Sequence, residues 1–188
     1  MNFWRKISSE RVLTEAFIDL HSDKVDWEMI TRNQFLSENF LLEYIDKIDW
    51  FWFAGHRRTA ESFLEKVLHV FTPEIWNQAL AYQCFSENFL GRHKKNFNEI
   101  HWKIISEHQV LSEKFILEHK EDVDWNKIAR SKKVGLEILK NFYHKISWET
   151  LEAYLSFPRE VAEEQRRIFF PEGYFAPTDL KNIKNFIK

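Results

Sequence analysis

The sequence predicts an all-α fold: an α-solenoid of about seven short helix-turn-helix repeats with a C-terminal cap. Three observations carry that prediction. Seven of the eight tryptophans keep a fixed interval: Trp4, Trp27 and Trp50 are 23 residues apart, as are Trp102, Trp125 and Trp148, and the two central steps through Trp76 are 26. Each is followed three residues later by Ile7, Ile30, Phe53, Ala79, Ile105, Ile128 or Leu151, and ten residues after that by Phe17, Phe40, Phe63, Phe89, Phe115, Ile138 or Val161. A period of this size marks stacked units, each burying its apolar face against its neighbours. The third observation is compositional: four Gly and four Pro are too few for the many tight turns of an all-β protein.

The first helix of each unit starts at or near the periodic Trp. Asp124 precedes Trp125 and is placed as an N-cap, its carboxylate accepting from backbone N–H groups that have no helical partner. Val123 before the cap and Ile128 four residues inside have the spacing of a hydrophobic staple. The same arrangement reads Val25/Ile30 around Asp26, Ile48/Phe53 around Asp49, Ile100/Ile105 around His101 and Ile146/Leu151 around Ser147.

The second helix starts at Leu111-Ser112-Glu113, where Ser112 caps, Glu113 sits in the favourable field of the first turn and Leu111 staples to Ile116. Equivalent starts are Leu13-Thr14-Glu15, Leu36-Ser37-Glu38 and Phe85-Ser86-Glu87. Phe115, Ile116 and His119 form its buried stripe. Helices this short are unstable alone in water, so stacking must hold them.

Six units cover Trp4 to Ser147, and a seventh begins at Trp148 and departs from the pattern at Pro158. The reading is one domain over residues 1–188, with repeats over about 4–170 and a cap over 171–188, since terminal repeats must close an open apolar end.

At Leu111-Ser112-Glu113-Lys114-Phe115-Ile116 followed by Val123-Asp124-Trp125, the chain resembles short LSExFI…VDW repeats of hypothetical proteins from giant DNA viruses and bacteriophages. Leu36 to Trp50 matches nearly as well, and the likeness spans most of residues 4–148, with the third and fourth units departing from it. The motif consists of caps, staples and core residues. It implies a fold and a viral or mobile-element origin, and it brings no catalytic residues with it.

With 44% apolar and 16% aromatic residues, the chain can bury a substantial core. A formal net charge of -2 excludes global attraction to nucleic acid or membrane. One cysteine excludes an internal disulfide and suits a reducing compartment, and no apolar run reaches membrane-spanning length. These features predict a cytoplasmic protein without membrane partners.

Candidate chemistry is sparse. His21, His93 and His119 share one repeat position with Tyr44, Val67 and Phe142, which marks a packing site. Metal sites need ligands that converge, whereas these are translated along the array. Cys84 shares its position with Val12, Phe35 and Val110 and reads as a small core residue. HExxH, CxxC and Gly-rich phosphate loops are absent from the sequence. The expectation is no enzyme, no metal and no cofactor.

What remains are residues the repeat does not require. Phe51 and Trp52 follow Trp50 where other units have pairs such as Glu28-Met29 or Asn126-Lys127, and Gly55-His56-Arg57-Arg58 is expected to break the inter-helix turn. Ala60 stands where a cap belongs. The next two units carry three extra residues before their Trp, and one of these connections reads Gly91-Arg92-His93-Lys94-Lys95-Asn96-Phe97. A further basic group, Arg130, Lys132 and Lys133, occupies the turn register of Arg57 and Arg58.

Long connections in a repeat array lie on one face and often bind. Phe51, Trp52, His56, Arg57, Arg58, Arg92, Lys94 and Lys95 therefore form the candidate partner site, since aromatic and Arg side chains are enriched in interface hot spots. The predicted function is a non-enzymatic protein-binding module, occluding a partner with an acidic or mixed surface. The resemblance adds a viral or phage inhibitor of a host defence system, such as a nuclease complex. The alternative is nucleic-acid binding along the same basic and aromatic stripe.

Overall fold

Every periodic Trp from Trp27 to Trp125 lies in or at the start of a helix, and among the described residues there are no strands. The computed structural model describes residues 3–131, 134, 135, 138, 141–147 and 150. The seventh unit apart from Thr150, the 171–188 cap, Lys132 and Lys133 lie outside them.

The chain divides into two compact units, one ending at Val123 and one beginning at Asp124. Among the described residues the first holds ten α-helices: α1 (Phe3–Glu10), α2 (Glu15–Leu20), α3 (Trp27–Asn33), α4 (Glu38–Glu43), α5 (Trp50–His56), α6 (Glu61–Val67), α7 (Pro73–Tyr82), α8 (Glu87–His93), α9 (Glu99–His108) and α10 (Glu113–Glu118). The odd-numbered helices pack in chain order, α1 on α3, α3 on α5, α5 on α7 and α7 on α9.

The core is the repeat pattern made solid. Ile30, Phe53, Ala79 and Ile105 are buried on the odd helices, as are Phe40, Phe63, Phe89 and Phe115 on the even ones. Trp50, Trp76 and Trp102 are buried with them. The indole N–H groups of Trp27 and Trp50 donate to the carbonyls of Ser22 and Ile45, so the aromatic bulk goes inside without an orphaned donor. His21, His93 and His119 each pack edge-on or tilted against the Phe four residues earlier, with centroids 4.4–4.6 Å apart.

The second unit holds α11 (Trp125–Arg130) and a 3₁₀ turn (Tyr143–Lys145). Trp125 is buried and stacks on Phe142 at 4.0 Å, and the Asp124 carboxylate accepts from the Lys127 N–H at 3.1 Å as a cap.

Three local expectations need correction. His101 does not cap its helix. The three extra residues of the wide units add a 3₁₀ turn (Leu68–Val70 or Lys94–Asn96) and lengthen the following helix to ten residues, moving the cap back to Thr72 and Asn98. His101 becomes the third residue of the helix, accepting the Asn98 N–H at Nδ1 (3.0 Å) in a capping box. With Nδ1 an acceptor, Nε2 carries the proton and donates it to the Pro73 carbonyl at 3.0 Å.

The staple moves back with the cap. Ile100 is 58% exposed, and the pairing passes to Phe71/Trp76 (5.1 Å) and Phe97/Trp102 (6.0 Å). The extra residues are therefore helix and staple, not open loops. Finally, Gly55 and His56 do not break the turn; both lie inside α5.

Caps also link neighbouring repeats. The carboxylate of Glu15 accepts from the Ser37 N–H (2.5 Å) and hydroxyl (3.2 Å), and Glu61 and Glu87 do the same for Ser86 and Ser112. Each N-cap is thus held by the preceding unit as well as holding its own helix. Ala60 makes no side-chain cap bond, which interrupts the ladder once; Glu38 faces Lys66 at 3.8 Å instead.

Candidate protein-binding edge

The turns after α1, α3, α5, α7 and α9 are built alike. In the last four of them the first residue of the turn reaches back to the turn before it. Gln34 Nε2 donates to the carbonyls of Ser8 (3.0 Å) and Arg11 (2.7 Å), and its Oε1 accepts the Leu13 N–H at 2.9 Å. Gln83 repeats this with Ala54 and Arg57 (both 2.7 Å) and Thr59 N–H (3.3 Å). Gln109 does so with Leu80 (2.5 Å), Gln83 (2.9 Å) and Phe85 N–H (2.9 Å). Both Nε2 protons and the carbonyl of each amide are used, which is what allows these three polar side chains to be buried.

Arg57 occupies the register of these glutamines and acts like one. Its guanidinium donates to the carbonyls of Gln34 (3.0 Å) and Arg32 (3.3 Å). Arginine has no acceptor, so it offers nothing to the Leu36 N–H. It adds a stack instead. The guanidinium carbon lies 4.9 Å from the Phe35 ring centre and 5.6 Å from that of Trp52. Trp52 in turn lies parallel to His56, with centroids 4.5 Å apart and planes 3° apart. His56 Nδ1 is 2.9 Å from the Trp52 carbonyl oxygen. Phe35, Arg57, Trp52 and His56 thus form one continuous stack.

With the first turn residue clamped and the third turned toward the interior, the middle one faces water. Val12 is 99% exposed, Phe35 89% and Val110 88%, and Arg58 and Cys84 are exposed in the same register. This corrects the reading of Cys84 as a core residue: the position it shares with Val12, Phe35 and Val110 is an outward one. Val12, Phe35 and Val110 thus stand in water in one register along this edge.

The structure divides the expected partner site. Trp52, His56 and Arg57 come together, joined by Phe35, which the sequence marks only as a turn residue. Arg58 stands beside them and makes no ion pair among the described residues. Phe51 is 49% exposed at the other end of α5. Arg92, Lys94 and Lys95 belong to a different place, the C-terminal end of α8, which seven residues at 1.5 Å per residue put about 10 Å from the turn edge. Arg92 is paired there with Glu65 at 2.6 Å. It also borders an open groove of about 380 Å³ between α8 and α10, floored by Gly91, Phe115 and His119.

The glutamine clamp is the scaffold of this edge that the sequence pattern does not announce. Its trace is visible in retrospect: Gln34, Gln83 and Gln109 each follow the buried residue Ile30, Ala79 or Ile105 by four.

Among the described residues no three His, Cys, Asp or Glu side chains gather as a metal-binding group, and no helix is long and apolar enough to cross a membrane. Comparison with protein-family models, curated proteins and solved structures finds no match for this chain. Its function must therefore be read from its own geometry.

Proposed function

We propose that the chain is a non-enzymatic protein-binding module, an α-solenoid of about seven helix-turn-helix repeats that engages its partner through the turn edge. The observation that carries this reading is the row Val12, Phe35, Arg58, Cys84 and Val110, exposed in one register over a hydrogen-bonded scaffold. A rigid aromatic and arginine stack at its centre supplies the kind of anchor that dominates interface energetics. The partner offers an acidic or mixed surface, inside a cell. The narrower role, a viral or phage inhibitor occluding a host defence complex, follows from the repeat resemblance alone.

The rival reading is binding of nucleic acid by the basic stripe. Against it, the Arg57 guanidinium is already engaged by two carbonyls and two rings, and Arg92 by Glu65. That leaves fewer cations of the stripe to displace counterions from a phosphate backbone.

The test uses the whole protein and a Phe35→Asp/Arg58→Glu/Val110→Asp variant as baits in the native host's extract, with melting curves for both. A protein captured by the first and lost from the second, at equal thermal stability, supports the reading. Equal capture by both defeats it. Retention of a nucleic acid whose binding weakens steeply with salt would favour the rival instead.

A further inference from the structure

We infer that the turn edge receives a polyproline-II segment of the partner protein, one with an apolar side chain at every third position and an acidic one at its centre. This rests on the protein-binding reading and adds the conformation and chemistry of what is bound.

The spacing of the row argues for the conformation. Each turn is tied to the next by the Gln34, Arg57, Gln83 and Gln109 side chains, so the edge presents one exposed side chain per helix pair. The odd-numbered helices pack in chain order, and packed helices in general lie about 8–10 Å apart, which we take as the interval of the row. A polyproline-II helix has three residues per turn and rises about 3.1 Å per residue, so one face recurs about every 9.3 Å. A β-strand repeats its face about every 6.7 Å and an α-helix about every 5.4 Å, and neither keeps step with the turns. Five contacts correspond to about 13 residues of polyproline II.

The backbone of the row agrees. The N–H groups of Val12, Phe35, Arg58, Cys84 and Val110 make no hydrogen bond among the described residues. A polyproline-II segment carries carbonyls with no internal partner and few N–H groups of its own, so it fits an edge that presents donors.

Charge sets the chemistry. Residues 11–13, 34–36, 57–59, 83–85 and 109–111 include no acidic residue. Arg58 stands at the middle of the row without an ion pair among the described residues, next to His56 and Arg57. Val12 and Phe35 lie to one side of it and Val110 to the other. The complementary segment is therefore apolar at both ends and acidic in the middle, and a segment with a central cation is excluded by like-charge repulsion.

The probe is a phage-displayed library of random peptides of about 15 residues, long enough to span the row, selected on the full-length protein. Proline-rich peptides with apolar residues at every third position around a central Asp or Glu are the expected product. The best of them should bind Phe35→Asp and Arg58→Glu about tenfold more weakly. Exchanging the peptide's central acid for Arg should restore binding to the Arg58→Glu protein. Enrichment of helical spacing (three and four) or of strict alternation overturns the inference, as does no enrichment or indifference to both variants. If such peptides fail while the native partner is still lost from the triple variant, the polyproline-II assignment falls and the protein-binding reading stands. If the native partner ignores the triple variant, the reading itself falls.

Discussion

The side-chain amide of Gln83 donates at 2.7 Å to the carbonyl oxygen of Arg57, one repeat earlier, and at the same distance to that of Ala54. One residue thus closes the C-terminus of α5 and fixes the turn that carries Arg58. Replacing it with leucine leaves two carbonyls and the Thr59 N–H short of a partner near the core. Each orphaned group costs about 1–3 kcal/mol, so Gln83→Leu should lower the urea midpoint by the equivalent of at least about 3 kcal/mol. An unchanged midpoint would show that water replaces the clamp without loss.

Ala60 is the weak link of the cap ladder. Ala60→Ser should stabilise the protein by about 1 kcal/mol through its own cap bond. It also gives Glu38 the kind of partner that Glu15, Glu61 and Glu87 already have. Glu38→Gln should then remove part of the gain in the Ala60→Ser background and almost none in the natural one. Equal effects of Glu38→Gln in both backgrounds, measured by thermal melting, would contradict the ladder.

Gly91 sits inside α8, and a Cβ built there meets no atom within 4 Å. No close approach requires the glycine. Gly91→Ala should therefore raise stability by about 1 kcal/mol, the ordinary helix-interior difference. A loss of stability would mean the groove beside it is filled by something packing against the backbone.

Trp125 is buried and stacked on Phe142. Trp125→Ala should cost about 3–5 kcal/mol, whereas Trp52→Ala, in the half-buried stack of the turn edge, should cost far less stability and more partner binding. Paired melting and capture measurements separate the two roles.

Acid should weaken the fold through its helix starts. The carboxyl of Glu74 is held below its ordinary value by the Thr72 hydroxyl and by its own backbone N–H, and that of Glu99 by the Lys103 ammonium, which donates at 2.7 Å. A depressed folded pKa means the unfolded chain binds the proton first. The contribution is complete above the unfolded value, near 4.5, and is lost as pH falls through the folded one. Glu74→Gln with Glu99→Gln should flatten the decline in urea midpoint below that value. A decline of unchanged slope would assign acid sensitivity to other groups.

Periodicity, caps and aromatic spacing made the helices legible, because each is a local relation between residues three to five apart. The exposed register was not. Val12, Phe35 and Val110 are as apolar as the staples beside them, and composition alone sends both inward. What turns the middle residue out is the clamp on the first, made by side chains 21 to 29 residues away. The same distance effect explains the wide units. Their three extra residues read as open loop, but Thr72 and Asn98 are better caps than anything nearer the Trp, so the added residues became helix.

By itself, then, the order of amino acids determined that the described part of this chain forms short helices with most of the periodic indoles and phenylalanines inside, since those choices follow from local propensity and apolar period. Only the packing of one helix pair on the next decided which side chains face water and which cations are already occupied. Those answers depend on hydrogen bonds between residues a full repeat apart, which no local pattern encodes.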